Sequence, residues 1–218
     1  MRSNGEGPIV ALDIDGTLGD YHGHFLRFAE AWYGRPMPNP AEAEYGLPLH
    51  KFMRTSKATY RRCKLAYRQG GLERSMPAYP GAAELTRELR KSGVGVWITT
   101  TRPYLKYDQL YHDTLHWTRR NGIQYDAVLH GEHKYRDLAK QVGAGRVVCV
   151  MDDLPELIMQ ATSLGMHGII RDQPYNKAFS WHLRAVDMQD ALEGIKYRLK
   201  EWRDKHGLLE PGLAKPAR

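Results

Sequence analysis

Cysteine is nearly absent from this chain, with two in 218 residues. Cys63 falls in a basic helical pattern and Cys149 inside the apolar run RVVCVM, so both are expected to be reduced thiols and a disulfide-built fold is excluded. Long apolar runs are also missing. Nothing approaches the roughly 18 consecutive apolar residues of a membrane span, and the opening MRSNGEGP lacks the apolar core of a signal peptide, so no membrane and a cytoplasmic location are expected. There are no internal repeats. Acidic residues are outnumbered, 25 against 32 Lys and Arg, giving a formal charge of +7. That balance favours an anionic partner, whether a nucleotide, nucleic acid or another phosphorylated molecule, over a merely solvated basic surface only if the charge is concentrated.

What is present reads as an α/β protein. Short β-branched runs, IVALDI at 9–14, VGVWIT at 94–99, DAVLH at 126–130, RVVCVMD at 146–152 and HGIIR at 167–171, alternate with helical patterns, which predicts a mainly parallel, Rossmann-like sheet. The segment PGAAELTRELRKSG predicts a helix opened near Pro80 and stopped at Gly93, and helices also follow from YDQLYHDTLHWTRRNG and LPELIMQATSLG. The last helix, ALEGIKYRLKEW, reads as amphipathic packing against the core. With 42% hydrophobic residues the chain can bury one full core and a smaller module.

About sixty residues after the first strand carry no strand signal, too many for a simple connection. The expected organisation is therefore a core of 1–19 and 80–206, a small helical cap of 20–79 inserted after the first strand, and a flexible tail of 207–218. Within the cap, FLRFAEAWYG at 25–34 predicts one helix and 49–71 a longer one. On the latter, Arg54, Lys57, Arg61, Lys64 and Arg68 recur every three or four residues as one cationic stripe, with Glu73 the only acid between Leu49 and Arg74. Unrelieved repulsion along the stripe points to an anion nearby.

The first strand ends in Asp13 and Asp15, and RVVCVM ends in Asp152 and Asp153. Residues i and i+2 of an extended segment face the same way, so the first pair is expected to share a side at the carboxyl edge of the sheet, where open α/β sheets bind ligands. Were the two strands adjacent, three or four carboxylates would converge. Two such charges at about 4 Å repel by roughly 4 kcal/mol at an effective dielectric of 20, a conflict that a divalent cation resolves. All-oxygen ligands with room for water and a substrate phosphate suit Mg²⁺. Thr100 and Thr101 after the second predicted strand, and Lys134 before the fourth, supply hydroxyls and a cation for phosphate oxygens. The histidine pairs His22/His24 and His130/His133 have metal-like spacings but lack further ligands, so they are assigned no metal.

The order Asp13-Ile14-Asp15-Gly16-Thr17, Thr100, Lys134 and Asp152-Asp153 resembles the four-motif signature of the haloacid dehalogenase superfamily of phosphohydrolases. Within it, DIDGTLGDYHGHFLRF, PAYPGAAEL, TTTRPYLKYD, MDDLPEL and RDQPYN are similar to segments of the 5′(3′)-deoxyribonucleotidases and related 5′-nucleotidases. The resemblance implies a Mg²⁺-dependent phosphomonoesterase acting on (deoxy)ribonucleoside monophosphates. In it Asp13 is the nucleophile that becomes an aspartyl-phosphate, Asp15 the acid and base, Thr100, Thr101 and Lys134 the phosphate-holding groups, and Asp13, Asp15, Asp152 and Asp153 the metal set. Tyr21 occupies the position of the family's base-stacking aromatic, with stacking and plain core packing equally weighted, and Arg54 and Arg61 are further candidates for substrate binding. Two alternatives stay open: a phosphatase of nucleic-acid ends, which the basic cap helix favours, and a catalytically silent nucleotide- or RNA-binding protein on the same scaffold.

Overall fold

A computed structural model describes residues 7–103, 106–107, 109–181 and 183–208. From residue 209 onward, the expected tail lies outside the described residues. The strands are β1 (Ile9–Leu12), β2 (Gly95–Thr100), β3 (Ala127–His130), β4 (Val147–Asp152), β5 (Gly168–Arg171) and the two-residue β6 (Arg184–Ala185). They form one parallel sheet in the order β3-β2-β1-β4-β5-β6. β1 sits at the centre and every residue of it is buried, as an apolar run covered on both faces should be.

Strand residues alternate between two apolar layers. Val10 and Leu12 join Val96, Ile98, Leu85, Leu89 and Ile195 on one face, while Ala11 joins Val150, Tyr135, Leu138, Ile158 and Ala161 on the other. The first face is covered by α4 (Ala82–Lys91) and α8 (Met188–Lys205), the second by α6 (Lys134–Val142) and α7 (Pro155–Ser163). α4 starts from Gly81, at φ 84°, so Pro80 lies just before the helix rather than in its first turn. α5 (Gln109–Arg120) runs between β2 and β3 and buries Trp117 completely.

Between β1 and α4 lie α1 (Tyr21–Tyr33), α2 (Leu49–Phe52) and α3 (Lys57–Gln69). Their apolar residues Phe25, Phe52, Met53, Cys63 and Tyr67 belong to the same continuous cluster as Leu12 and Ile98. α1 begins four residues earlier than its apolar pattern predicts because the Asp20 carboxylate accepts from the Gly23 N–H, an N-cap. The long helix expected over 49–71 is two helices. Arg54 adopts φ 51° and Ser56 caps α3 by accepting from the Thr59 N–H, a side-chain bond that outcompetes helix continuation. Arg54 therefore leaves the cationic stripe, which is Lys57, Arg61, Lys64 and Arg68 on α3.

The chain enters and leaves this segment through one narrow ladder. Gly19 bridges Ala78 in antiparallel fashion, Asp20 N–H donates to Pro77 at 2.9 Å, and Tyr79 N–H donates to Leu18 at 2.8 Å. The Trp117 indole fastens the exit by donating to the Met76 carbonyl at 2.7 Å.

Candidate active site

β1 and β4 pair with Leu12 opposite Met151, so the residues that follow them, Asp13 and Asp152, emerge side by side at the carboxyl edge of the sheet. The Asp13 N–H extends the ladder by donating to the Met151 carbonyl at 3.0 Å. Oxygens of Asp13, Asp152 and Asp153 all lie within 4.8 Å of one another, and all three residues are buried.

Lys134, at the start of α6, is the cation of this cluster. Its ammonium lies 2.5 Å from Asp13 Oδ1 and 2.7 Å from Asp152 Oδ2. Asp152 also accepts from the Tyr135 hydroxyl at 2.6 Å and the Leu154 N–H at 3.0 Å. Asp153 accepts from Thr17 Oγ1 and the Tyr175 hydroxyl, and its carbonyl accepts from Asn176. One ammonium among three buried carboxylates leaves negative charge unbalanced. Burial pushes the Asp13 carboxyl up to about 7, with Lys134 pulling against it and Asp152 adding to the rise. Burial and the charges of Asp152 and Asp13 likewise hold Asp153 well above the usual carboxylate range. Against the cost of burial, Asp13 and Asp152 hold the Lys134 ammonium above its ordinary range. The donor set is all oxygen and short of positive charge, which fits a hard divalent cation such as Mg²⁺.

Asp15 stands apart from this group. The strand stops at Leu12, and Gly16, at φ 86°, lets the Thr17, Leu18 and Gly19 N–H groups turn back onto the Ile14 carbonyl. The Asp15 carboxylate, whose charge acts on Asp13, is gripped by both arms of Arg102. Arg102 is 1% exposed and reaches Glu73 at 3.4 Å, and Glu73 in turn meets Arg68 at 3.5 Å. Although burial raises it, the Arg102 guanidinium holds the Asp15 carboxyl below its ordinary value.

Thr100 ends β2 and its hydroxyl accepts from the Arg102 N–H at 3.2 Å, while Thr101 is exposed beyond it. Tyr21 is buried, its ring parallel to Phe25 at 5.7 Å and edge-on to Tyr67, with the Lys64 ammonium 5.7 Å from its centre. Arg61 is exposed on α3, and Arg54 is exposed in the preceding turn, where its carbonyl accepts from Arg35. Arg102, Glu73 and Tyr135 were not singled out from sequence. Glu73 carried a usable signal as the lone acid of a basic stretch, and Arg102 follows the threonine run directly. Gln173, whose amide donates to the Gly16 carbonyl at 2.6 Å, and Asn176 lie in the RDQPYN segment.

The family model described as "5′ nucleotidase, deoxy (Pyrimidine), cytosolic type C protein" matches residues 7–201, nearly the whole described chain and all of the carboxylate site. This chain belongs to that 5′-nucleotidase family. The nucleotidase is 29% identical over 192 residues to a Chlorobaculum tepidum protein provisionally named 5′(3′)-deoxyribonucleotidase, covering 86% of this chain and 90% of that one. A Bordetella pertussis protein with the same provisional name is 28% identical over 172 residues, covering 78% and 86%. Among solved structures, a haloacid dehalogenase-like hydrolase from Streptococcus pneumoniae superposes with a TM-score of 0.61 at 17% identity, over 86% of this chain and 98% of that one. CbbY from Rhodobacter sphaeroides, in complex with phosphate, gives 0.57 at 17% identity, over 84% and 95%. The structural matches establish the haloacid dehalogenase fold. The family makes the nucleotidase a phosphoric monoester hydrolase.

Proposed function

We propose that this hydrolase is a cytoplasmic, Mg²⁺-dependent phosphatase of (deoxy)ribonucleoside monophosphates that works through an aspartyl-phosphate on Asp13, with residues 20–79 acting as a cap over the site. The observation that carries the reading is the convergence of Asp13, Asp152 and Asp153 around Lys134 at the carboxyl edge of the sheet. Asp13, Asp152 and Asp153 would hold the metal, which when bound supplies positive charge for the phosphoryl oxygens. The Asp15 carboxylate, held by Arg102, acts on the charge of Asp13 beside this cluster.

The chain's own groups divide the work. The Asp13 carboxylate attacks phosphorus, and the ester oxygen leaves with the nucleoside. Lys134 and the hydroxyls of Thr100 and Thr101 stabilise the transferring phosphoryl group. Asp15 gives a proton to the leaving oxygen and then takes one from the water that hydrolyses the aspartyl-phosphate. Held ionised by Arg102, Asp15 is ready for the second step. The first needs a proton on it, and Glu73 offers Arg102 an alternative partner while that proton is present.

The test is phosphate release with Mg²⁺ from 5′- and 3′-mononucleotides, a 3′-phosphorylated oligonucleotide and a sugar phosphate. Turnover of mononucleotides is expected. Preference for the oligonucleotide end would replace this reading with the nucleic-acid end phosphatase, and no release from any substrate would leave the silent binding protein.

A further inference from the structure

α3 and Tyr107 line an open concavity of about 320 Å³, formed by Arg61, Arg62, Lys64, Leu65, Arg68 and Tyr107. Four of those six residues are cations and none is an acid. Among the described residues, Arg68 pairs with Glu73, and Arg61, Arg62 and Lys64 have no carboxylate within ion-pair distance. Like charges gathered in one concavity repel, and among the described residues that line it none is a carboxylate that would relieve them.

The cavity is coupled to the reacting centre. Its inner wall, Arg68, contacts Glu73, Glu73 contacts Arg102, and Arg102 grips Asp15. Lys64 and Arg68 both lie close enough to Asp15 to act on its charge. A nucleoside monophosphate has one phosphate, and that group is committed to Asp13, Lys134 and Thr100. The uncharged nucleoside left over has nothing with which to neutralise the cavity, whereas two exposed guanidinium forks match the geometry of a phosphate.

We propose that this cavity binds a second phosphate carried on the same ribose as the ester hydrolysed at Asp13. The inference rests on the nucleotidase reading and narrows its substrate class. The second phosphate is either the free group of a nucleoside 3′,5′-bisphosphate or the diester of a 5′-phosphorylated oligonucleotide, both of which present anionic phosphate oxygens to Arg61 and Arg62.

The test compares affinities by calorimetry, using full-length Asp13→Asn protein with Mg²⁺ and three ligands: thymidine 5′-monophosphate, thymidine 3′,5′-bisphosphate and 5′-phosphorylated dithymidylate. The bisphosphate is expected to bind about tenfold or more tightly than the monophosphate, the scale of one or two charge-assisted hydrogen bonds. Replacing both Arg61 and Arg62 by Ala should bring that ratio close to one, while Lys200→Ala, an exposed cation on α8, should leave it unchanged. Equal affinities in the parent, or a ratio that survives loss of both arginines, would overturn the proposal. Tight binding of the dinucleotide as well would assign the cavity to an oligonucleotide backbone, and tight binding of the bisphosphate alone would assign it to the small molecule. The same ratio read as KM in the wild type covers a failure of Asp13→Asn to fold. Absence of turnover with every nucleotide would remove the hydrolase reading, and the affinity ratio would still decide the cavity.

Discussion

The Lys134 ammonium lies 2.5 Å from Asp13 Oδ1, and both groups are buried. The pair is the hub of the site because the same ammonium also meets Asp152. Replacing Lys134 by Met would leave three buried carboxylates without their cation. Loss of one partner from a buried ion pair costs about 3–5 kcal/mol, so urea unfolding should show a drop of that order in metal-free protein, with turnover reduced by roughly 100-fold or more. A variant as stable as the parent would mean that the carboxylates are already neutral.

The same charge imbalance predicts a response to metal. Mg²⁺ should raise the melting temperature of the wild type, and a chelator should reverse the rise. Asp152→Asn or Asp153→Asn should shrink it, since either removes one of the converging charges. A melting temperature indifferent to Mg²⁺ would argue against a cation in this cluster.

Glu73 touches Arg102 and Arg68 but none of the three clustered carboxylates. Glu73→Gln keeps the shape and removes the charge that holds Arg102 from the inserted helices. We expect kcat to fall by roughly tenfold with KM little changed, as for a loss of alignment at the reacting centre, and Glu73→Asp to recover part of it. An equal fall in both variants traced to lost folded protein would assign Glu73 a purely structural part.

Gly16 has both the backbone angle and the space that only glycine satisfies. A Cβ there would meet the Asp153 carboxylate and the Tyr175 hydroxyl. Gly16→Ala should destabilise the protein by about 1–3 kcal/mol and displace Asp153, lowering the Mg²⁺-dependent rise in melting temperature. Retention of both properties would show that the turn can shift.

His22 packs 4.3 Å from Tyr175, and burial together with Lys64 pushes its imidazole down to about 4. Between that value and the ordinary 6.5 the unfolded chain binds a proton that the folded one refuses. This contribution to stability is therefore complete above pH 6.5 and is lost as the pH falls toward 4. His22→Gln should flatten the pH dependence of the urea midpoint across this window, and an unchanged slope would place the acid sensitivity elsewhere.

The sheet and the meeting of Asp13 with Asp152 were readable in the sequence because buried parallel strands are continuous β-branched runs and their ends are marked by charge. β6 was not, since two residues carry no periodicity. The Arg102 partner of Asp15 was not legible, because the two residues lie 87 positions apart and meet only through tertiary packing. The break between α2 and α3 hid within a basic pattern that continues through Ser56, where a single hydroxyl decides the cap. Arg102 and Glu73 meet only through the packing of the inserted segment on the loop after β2, a contact that local pattern does not encode.

Because Asp20 N–H and the Pro77 carbonyl are 2.9 Å apart, everything between them begins and finishes at one spot on the body of the protein. A change of length at the exposed turns of that excursion therefore leaves the spacing of β1 from its neighbours to the sheet's own pairing. Substitutions at Phe25, Tyr67 or Glu73, by contrast, reach the body directly, since those side chains share its core or hold Arg102.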